Sequence, residues 1–425
     1  MRLVWALSAV ILGCGAWPLS SASAQTIPIK HVVFIIKENR SFDNFFATFP
    51  GANGATTGKH NGVEVRLQEG LTKSCDLAHS WPDSVRDIDN GAMDGFQLSK
   101  IRMKNAYVTL HEKDIPNYWA YARNFALADN FFSAMRGPSF PQHVYLAAAD
   151  SNHIEGGPTA QKGKTQAWGC DSQPGTTARQ VDPATGAITN IFPCFDIPVL
   201  PDLLNNAGNT WRYYSATPQQ YGFIWSVLDS IKHIRYGNQW TTNVLPVENF
   251  QQDVQNGQLA DVTWITPMGG YSDHPPNDVC QGEGWAVQVM NAIMQSQFWN
   301  STTVFITWDD WGGYYDHVSP PTVDYFGLGM RVPFLIISPW VKHGTATQPL
   351  VQHGLYEFSS MLGFAETVFN LPNLTNRDKS ADNLMDAFDF NQQPLPPLVL
   401  TPRKCANGPP VVCGPLPHGP DDDGD

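Results

Sequence analysis

The chain has 425 residues, of which 42% are hydrophobic, 12% aromatic and 15% charged, a composition that excludes disorder over most of its length. Its 26 basic residues stand against 39 acidic ones, for a formal charge of −13, and no Lys/Arg-rich run stands out. Nucleic-acid binding as the main activity is thereby excluded, because that affinity comes from clustered cations; an anionic substrate would need a metal ion or local donors to supply positive charge.

Residues 1–24 read as an export signal: Arg2, a mostly apolar run over 3–17, then the small-residue pattern Ala22-Ser23-Ala24. Cleavage there starts the mature chain at Gln25. Ile11-Leu12-Gly13-Cys14 offers lipoprotein anchoring as the lesser alternative. No later stretch approaches the ~18 consecutive apolar residues needed to span a bilayer, so the expectation is an exported protein, periplasmic or secreted. Export favours disulfides among the six remaining cysteines. Cys170 with Cys194 and Cys405 with Cys413 are local candidates, leaving Cys75 with Cys280, although spacing alone leaves the connectivity open. No CxxC pair points to a metal.

Continuous apolar runs at 32–36, 262–265, 303–307 and 333–337 read as strands covered on both faces. Helical patterns lie at 114–123, opened by Asp114 and Pro116, at 285–297 and at 356–369. Strands alternating with helices predict an α/β sandwich on a largely parallel sheet. The main domain is read over 25–391, with a Gly/Thr/Gln/Pro-rich looped insertion at 150–200. A Pro-rich tail over 392–425, tied by Cys405–Cys413, ends in Asp421-Asp422-Asp423-Gly424-Asp425.

Ligands of open parallel sheets bind beyond the carboxyl ends of the strands. The first strand is followed by Lys37-Glu38-Asn39-Arg40, and the 303–307 strand by Trp308-Asp309-Asp310-Trp311-Gly312-Gly313. Carboxylates and a carboxamide thus meet at one sheet edge, where like charges repel unless a divalent cation joins them. The bland alternative makes Glu38 or Asp309 a helix cap. In Arg136-Gly137-Pro138-Ser139-Phe140-Pro141-Gln142-His143, Ser139 falls in the first turn of a helix. It is there either an N-cap or a nucleophile that a nearby metal activates. His79 and His274 sit in polar loops, suited to holding a phosphoryl oxygen or protonating a leaving group. His317 reads as a brace for the aspartate loop. The absence of GxSxG, HExxH, P-loop and GxGxxG patterns argues against serine esterases, zincins, nucleoside triphosphatases and nicotinamide enzymes.

Together these segments resemble the secreted bacterial phosphoesterases that include phospholipases C and respiratory-burst-inhibiting acid phosphatases, with plant non-specific phospholipases C as relatives. The match runs through 29–46, Met93-Asp94-Gly95-Phe96, the Gly137-Pro138-Ser139 turn, Asp273-His274-Pro275-Pro276, 309–318 and 329–334. The resemblance implies an alkaline-phosphatase-like three-layer α/β sandwich with a mostly parallel central sheet. It also implies a divalent metal cation held by Glu38, Asn39, Asp309 and Asp310, with Ser139 as nucleophile and His79, Asp273 and His274 against the substrate. Two departures stand out: Gln142 follows Pro141 where the family commonly has Asn, and Asp310 replaces a frequent Glu. The implied substrate is a phospholipid cleaved in phospholipase C fashion. A phosphomonoester cleaved by an acid phosphatase is the alternative, and a non-catalytic exported binding protein the remote one. Transient membrane-surface contact is compatible with this reading, and no obligate protein partner is evident.

Overall fold

The computed structural model describes residues 27–159, 168–345, 347–406 and 411–413; the export signal and the terminal acidic run lie outside them. Eight strands form the central sheet: β1 (His31–Lys37), β2 (Ala126–Ala128), β3 (Trp211–Ser215), β4 (Val244–Pro246), β5 (Val262–Ile265), β6 (Thr302–Trp308), β7 (Phe334–Ile337) and β8 (Leu350–Gln352). Their spatial order is β4-β3-β5-β1-β6-β7-β2-β8. All neighbours run parallel except around β7, which is antiparallel to both β6 and β2. The expected mostly parallel α/β sheet is therefore present. β1 and β6 occupy its middle, and every residue of β6 is buried, which is why both read as unbroken apolar runs.

The main helices used below are α1 (Phe42–Phe46), α2 (Trp81–Ile88), α3 (Pro116–Asn124), α4 (Ser139–Ala148), α5 (Leu200–Ala207), α6 (Val279–Met294) and α7 (Phe358–Phe369). Helix α3 begins at Pro116 as its rigid φ favours, but Asp114 does not cap it: its carboxylate accepts the His111 N–H at 2.9 Å. Helix α6 starts six residues before the expected Trp285, where Asp278 accepts the Cys280 N–H at 3.0 Å. Gly282 and Gly284 inside it mimic a break in the sequence. Tyr356 and Glu357, read as helix, pair with Phe131 and Phe132 as a short ribbon before α7 begins.

The 150–200 insertion is partly ordered as a hairpin of Ala178–Val181 with Ile188–Ile191, and Cys170–Cys194 closes it as expected. The other two pairings differ from expectation: the bonds are Cys75–Cys413 and Cys280–Cys405, not Cys75–Cys280 and Cys405–Cys413. The cause is the path of residues 392–406, which run extended along the main domain. Leu395 N donates to Pro339 O at 2.8 Å, Leu400 N to Asn291 Oδ1 at 3.1 Å, and Arg403 reaches Lys113 O at 3.2 Å.

Candidate active site

The register of β1 on β6 runs from His31 opposite Thr302 to Lys37 opposite Trp308, so the residues that follow emerge side by side. The pairing continues past the strands, with Asp309 N on Lys37 O and Arg40 N on Asp310 O, both at 2.9 Å. Asn39 takes a left-handed φ of 60°, which asparagine tolerates better than most residues. That turn aims its backbone N–H at Asp309 Oδ1, 2.9 Å away. Gly312, at φ 57°, packs so closely on the turn that a Cβ there would lie 2.5 Å from the Asn39 carbonyl oxygen. Ser41, not Glu38, caps α1, so the cap reading of the strand-end acids does not hold.

Glu38, Asn39, Asp309 and Asp310 are wholly buried. Burying three carboxylates together is unfavourable unless a cation compensates them. Asn39 Oδ1 and Asp309 Oδ2 accept no hydrogen bond from the described residues. Two such orphaned oxygens in an oxygen-rich cluster fit a hard or borderline divalent cation. His143 joins the same cluster, its Nε2 3.0 Å from Glu38 Oε1 and 3.7 Å from Asp309 Oδ2.

Pro138 is the N-cap of α4 and Ser139 its first residue, so the serine is not the cap. Its hydroxyl donates to Asp310 Oδ2 at 3.3 Å, while Asp310 Oδ1 accepts the Gly312 N–H at 2.6 Å. His143 lies one turn further along α4, on the same face. Gln142 fastens the preceding loop: its Oε1 accepts Ala134 N at 3.0 Å and its Nε2 donates to Gly137 O at 3.2 Å. The departure at this position therefore shapes the nucleophile turn. The insertion packs on Phe140, which follows Ser139, with Trp168 5.5 Å and Phe195 6.4 Å away between ring centroids.

His79 and His274 meet at 6.4 Å between ring centroids, nearly perpendicular. His79 Nδ1 lies 2.6 Å from Leu77 O, so it carries the proton; Nε2 then accepts from Asn39 Nδ2 at 3.2 Å. That contact turns Asn39 Oδ1 away from the imidazole. His274 Nδ1 is likewise held by the Pro275 carbonyl. With Asp76, the two histidines form a second group whose ligating atoms lie within 4.8 Å of one another.

Asp273 differs from the other expected substrate contacts. Its buried carboxylate takes Tyr118 Oη at 2.9 Å and Trp308 Nε1 at 3.1 Å, with Lys37 Nζ 3.5 Å away. Burial pushes the Asp273 carboxyl up against the pull of Lys37 and Arg40, and pushes the Lys37 ammonium down. This pair buttresses the His274 loop from behind, and His274 is the side chain that joins the cluster. A third acidic group, Asp43, Asp316 and His317, already has a cation in buried Arg331, which pairs with both aspartates, its Nε 3.0 Å from Asp316 Oδ1. His317 Nδ1, 2.6 Å from Asp43 Oδ2, is the brace expected of it.

Sequence comparison adds family context to this geometry. The model of the Phosphoesterase family matches residues 29–372. A non-hemolytic phospholipase C of Burkholderia pseudomallei is 25% identical over 88% of this chain and 61% of its own. Non-specific phospholipase C6 of Arabidopsis thaliana is 26% identical over 84% and 72% respectively. The chain spans about three-fifths of the length of the first of these curated relatives. A solved alkaline phosphatase superfamily protein from Vibrio parahaemolyticus aligns over 83% of this chain and 69% of its own, at 10% identity and a TM-score of 0.37.

Proposed function

The chain belongs to the Phosphoesterase family, and on that premise we propose that it is an exported, metal-dependent phosphoric ester hydrolase with Ser139 as its nucleophile. The observation that carries this reading is Ser139 Oγ, 3.3 Å from Asp310, opening a helix directly beside the buried Glu38–Asn39–Asp309 cluster. A divalent cation held by Glu38, Asn39, Asp309 and Asp310 would neutralise phosphoryl charge and ease ionisation of the serine hydroxyl.

The chain's own residues supply the remaining steps. Ser139 Oγ attacks phosphorus in line while its proton passes toward Asp310 Oδ2. The amino end of α4 favours the anionic phosphoryl group. His79 and His274 stabilise the phosphoryl oxygens or protonate the departing alkoxide. Water then cleaves the phosphoserine ester and regenerates Ser139. His143 orients Glu38 and Asp309, as outer partners of metal ligands do.

The relatives named phospholipase C support a phospholipid as substrate, with loss of the phosphorylated headgroup. The three disulfides support export. The test is product analysis with metal-replete protein, phosphatidylcholine and, separately, p-nitrophenyl phosphate, from acidic to neutral pH. Diacylglycerol plus phosphocholine is the expected result. Free phosphate from the monoester, with the lipid untouched, would replace the phospholipase reading with acid phosphatase activity. Silence on both, with metal bound, would overturn hydrolysis altogether and leave a phosphate-binding protein.

A further inference from the structure

The two groups at the site are mounted differently. Glu38, Asn39, Asp309 and Asp310 hang on the central strands, and Ser139 and His143 on α4. His79 and His274 hang on two loops, residues 71–80 and 266–278, the second holding one 3-10 turn at Gly269–Tyr271. The loops meet at the His79 and His274 rings, 6.4 Å apart; beside them Val279 N donates to Thr72 O at 2.9 Å, and the partly exposed Lys73 lies 3.7 Å from Asp278.

Each loop nevertheless carries or adjoins a disulfide, and both disulfides end on one segment. Cys75, four residues before His79, is bonded to Cys413; Cys280, six residues after His274, is bonded to Cys405. The segment that receives both is itself seated on the main domain. Trp299 Nε1 donates to Leu395 O at 3.0 Å and Asn291 Nδ2 to Leu400 O at 2.8 Å, and Arg403 Nε lies 3.2 Å from the buried Glu283. Lys104 donates to the Cys413 carbonyl.

We propose that this C-terminal strap is a positioning device for the active site: its two disulfides buckle the histidine-bearing loops to a common support and so set His79 and His274 against the Ser139 face. No residue of the metal-holding cluster is fastened to the strap among the described contacts; the cluster meets the loops through Glu38 N on Ser272 O at 2.9 Å and Asn39 Nδ2 on His79 Nε2 at 3.2 Å. A cross-link restricts the conformations open to the segment it ends on. Apart from the one turn at Gly269–Tyr271, both loops are short and without regular structure, so loss of a bond loosens its histidine before it disturbs the sheet. The catalytic consequence rests on the phosphoesterase reading; the clamping of the loops does not.

The test is hydrogen exchange on the full chain, with each cysteine pair replaced in turn. In Cys75→Ala/Cys413→Ala, amides of 71–80 should exchange at least ~10-fold faster, with 266–278 and strands β1 and β6 unchanged. Cys280→Ala/Cys405→Ala should give the reverse pattern. Cys170→Ala/Cys194→Ala should change neither loop. Bound divalent metal should stay at the parent stoichiometry in both strap variants, while kcat on p-nitrophenyl phosphate falls at least ~10-fold. Unchanged exchange in the loops, or a uniform rise that includes β1 and β6, would overturn the proposal. If a variant does not fold, partial reduction of the parent with a dithiol, taking each disulfide to two thiols, gives the same comparison peptide by peptide. A parent protein that hydrolyses nothing would count against the phosphoesterase reading, and exchange alone would then decide the strap.

Discussion

His143 sits one helical turn beyond Ser139 and places Nε2 3.0 Å from Glu38. The i, i+4 spacing was present in the sequence, but its significance needed the position of Glu38 across the sheet edge, 105 residues away along the chain. Replacing it by alanine should weaken metal affinity ~10- to 100-fold, the usual cost of losing an outer partner, with the fold retained. Titration calorimetry with a divalent cation reads this, and unaltered affinity would place the imidazole outside the metal's reach. Asp273 teaches the reverse lesson. Its neighbour His274 made it look like a substrate contact, whereas its carboxylate faces Lys37, Tyr118 and Trp308 in the interior. Lys37→Met would leave that carboxylate buried without its cation, a loss of about 3–5 kcal/mol. Chemical denaturation should show it, and a loss below about 1 kcal/mol would mean that the pair contributes little.

At the scale of elements, the central strands were legible because a strand buried on both faces must be apolar throughout. The strands toward the sheet's sides were not. β2 is Ala-Leu-Ala, with no β-branched residue, β3 contains Arg212, and β4 ends in Pro246, so each lacks the signal that marked β1 and β6. The place of the candidate site was legible for a related reason: polar residues abruptly following an apolar run must lie at a strand end. Helix α6 was shortened in the sequence reading by glycines whose purpose is steric. A Cβ at Gly282 would fall 1.8 Å from Asp273 Oδ1, so Gly282→Ala, though kinder to a helix in isolation, should destabilise the protein by about 1–3 kcal/mol through overpacking. A melting temperature equal to or above that of the parent would contradict this packing.

For the molecule as a whole, long-range fastening was the part hidden from the sequence. Local spacing favoured Cys405–Cys413, and only the extended path of the tail shows why each cysteine reaches elsewhere, across 125 and 338 residues. Arg403 on that tail meets Glu283, whose carboxyl burial pushes up to about 7 against the hydrogen bonds of Tyr118 and Asn117 and the charge of Arg403. A folded-state value above the unfolded one means that the native protein binds the extra proton, so this group's stabilising contribution is full below about pH 4.5 and lost as pH rises through 7. The shift corresponds to about 3 kcal/mol. In Glu283→Gln, stability relative to the parent should therefore improve by up to that amount between pH 5 and pH 8, as measured by urea unfolding. A relative stability that falls over the same interval would reverse the assigned sign.

The central claim is that Ser139 and the adjoining cation site act as one hydrolytic centre. The most direct measurement is turnover of p-nitrophenyl phosphate by the parent and by Ser139→Ala, each with its bound metal counted in the same sample. The expected result is metal at parent stoichiometry in the variant, with turnover reduced by at least ~1000-fold, as the loss of a covalent nucleophile demands. Parent-rate hydrolysis by Ser139→Ala would contradict the account at its centre.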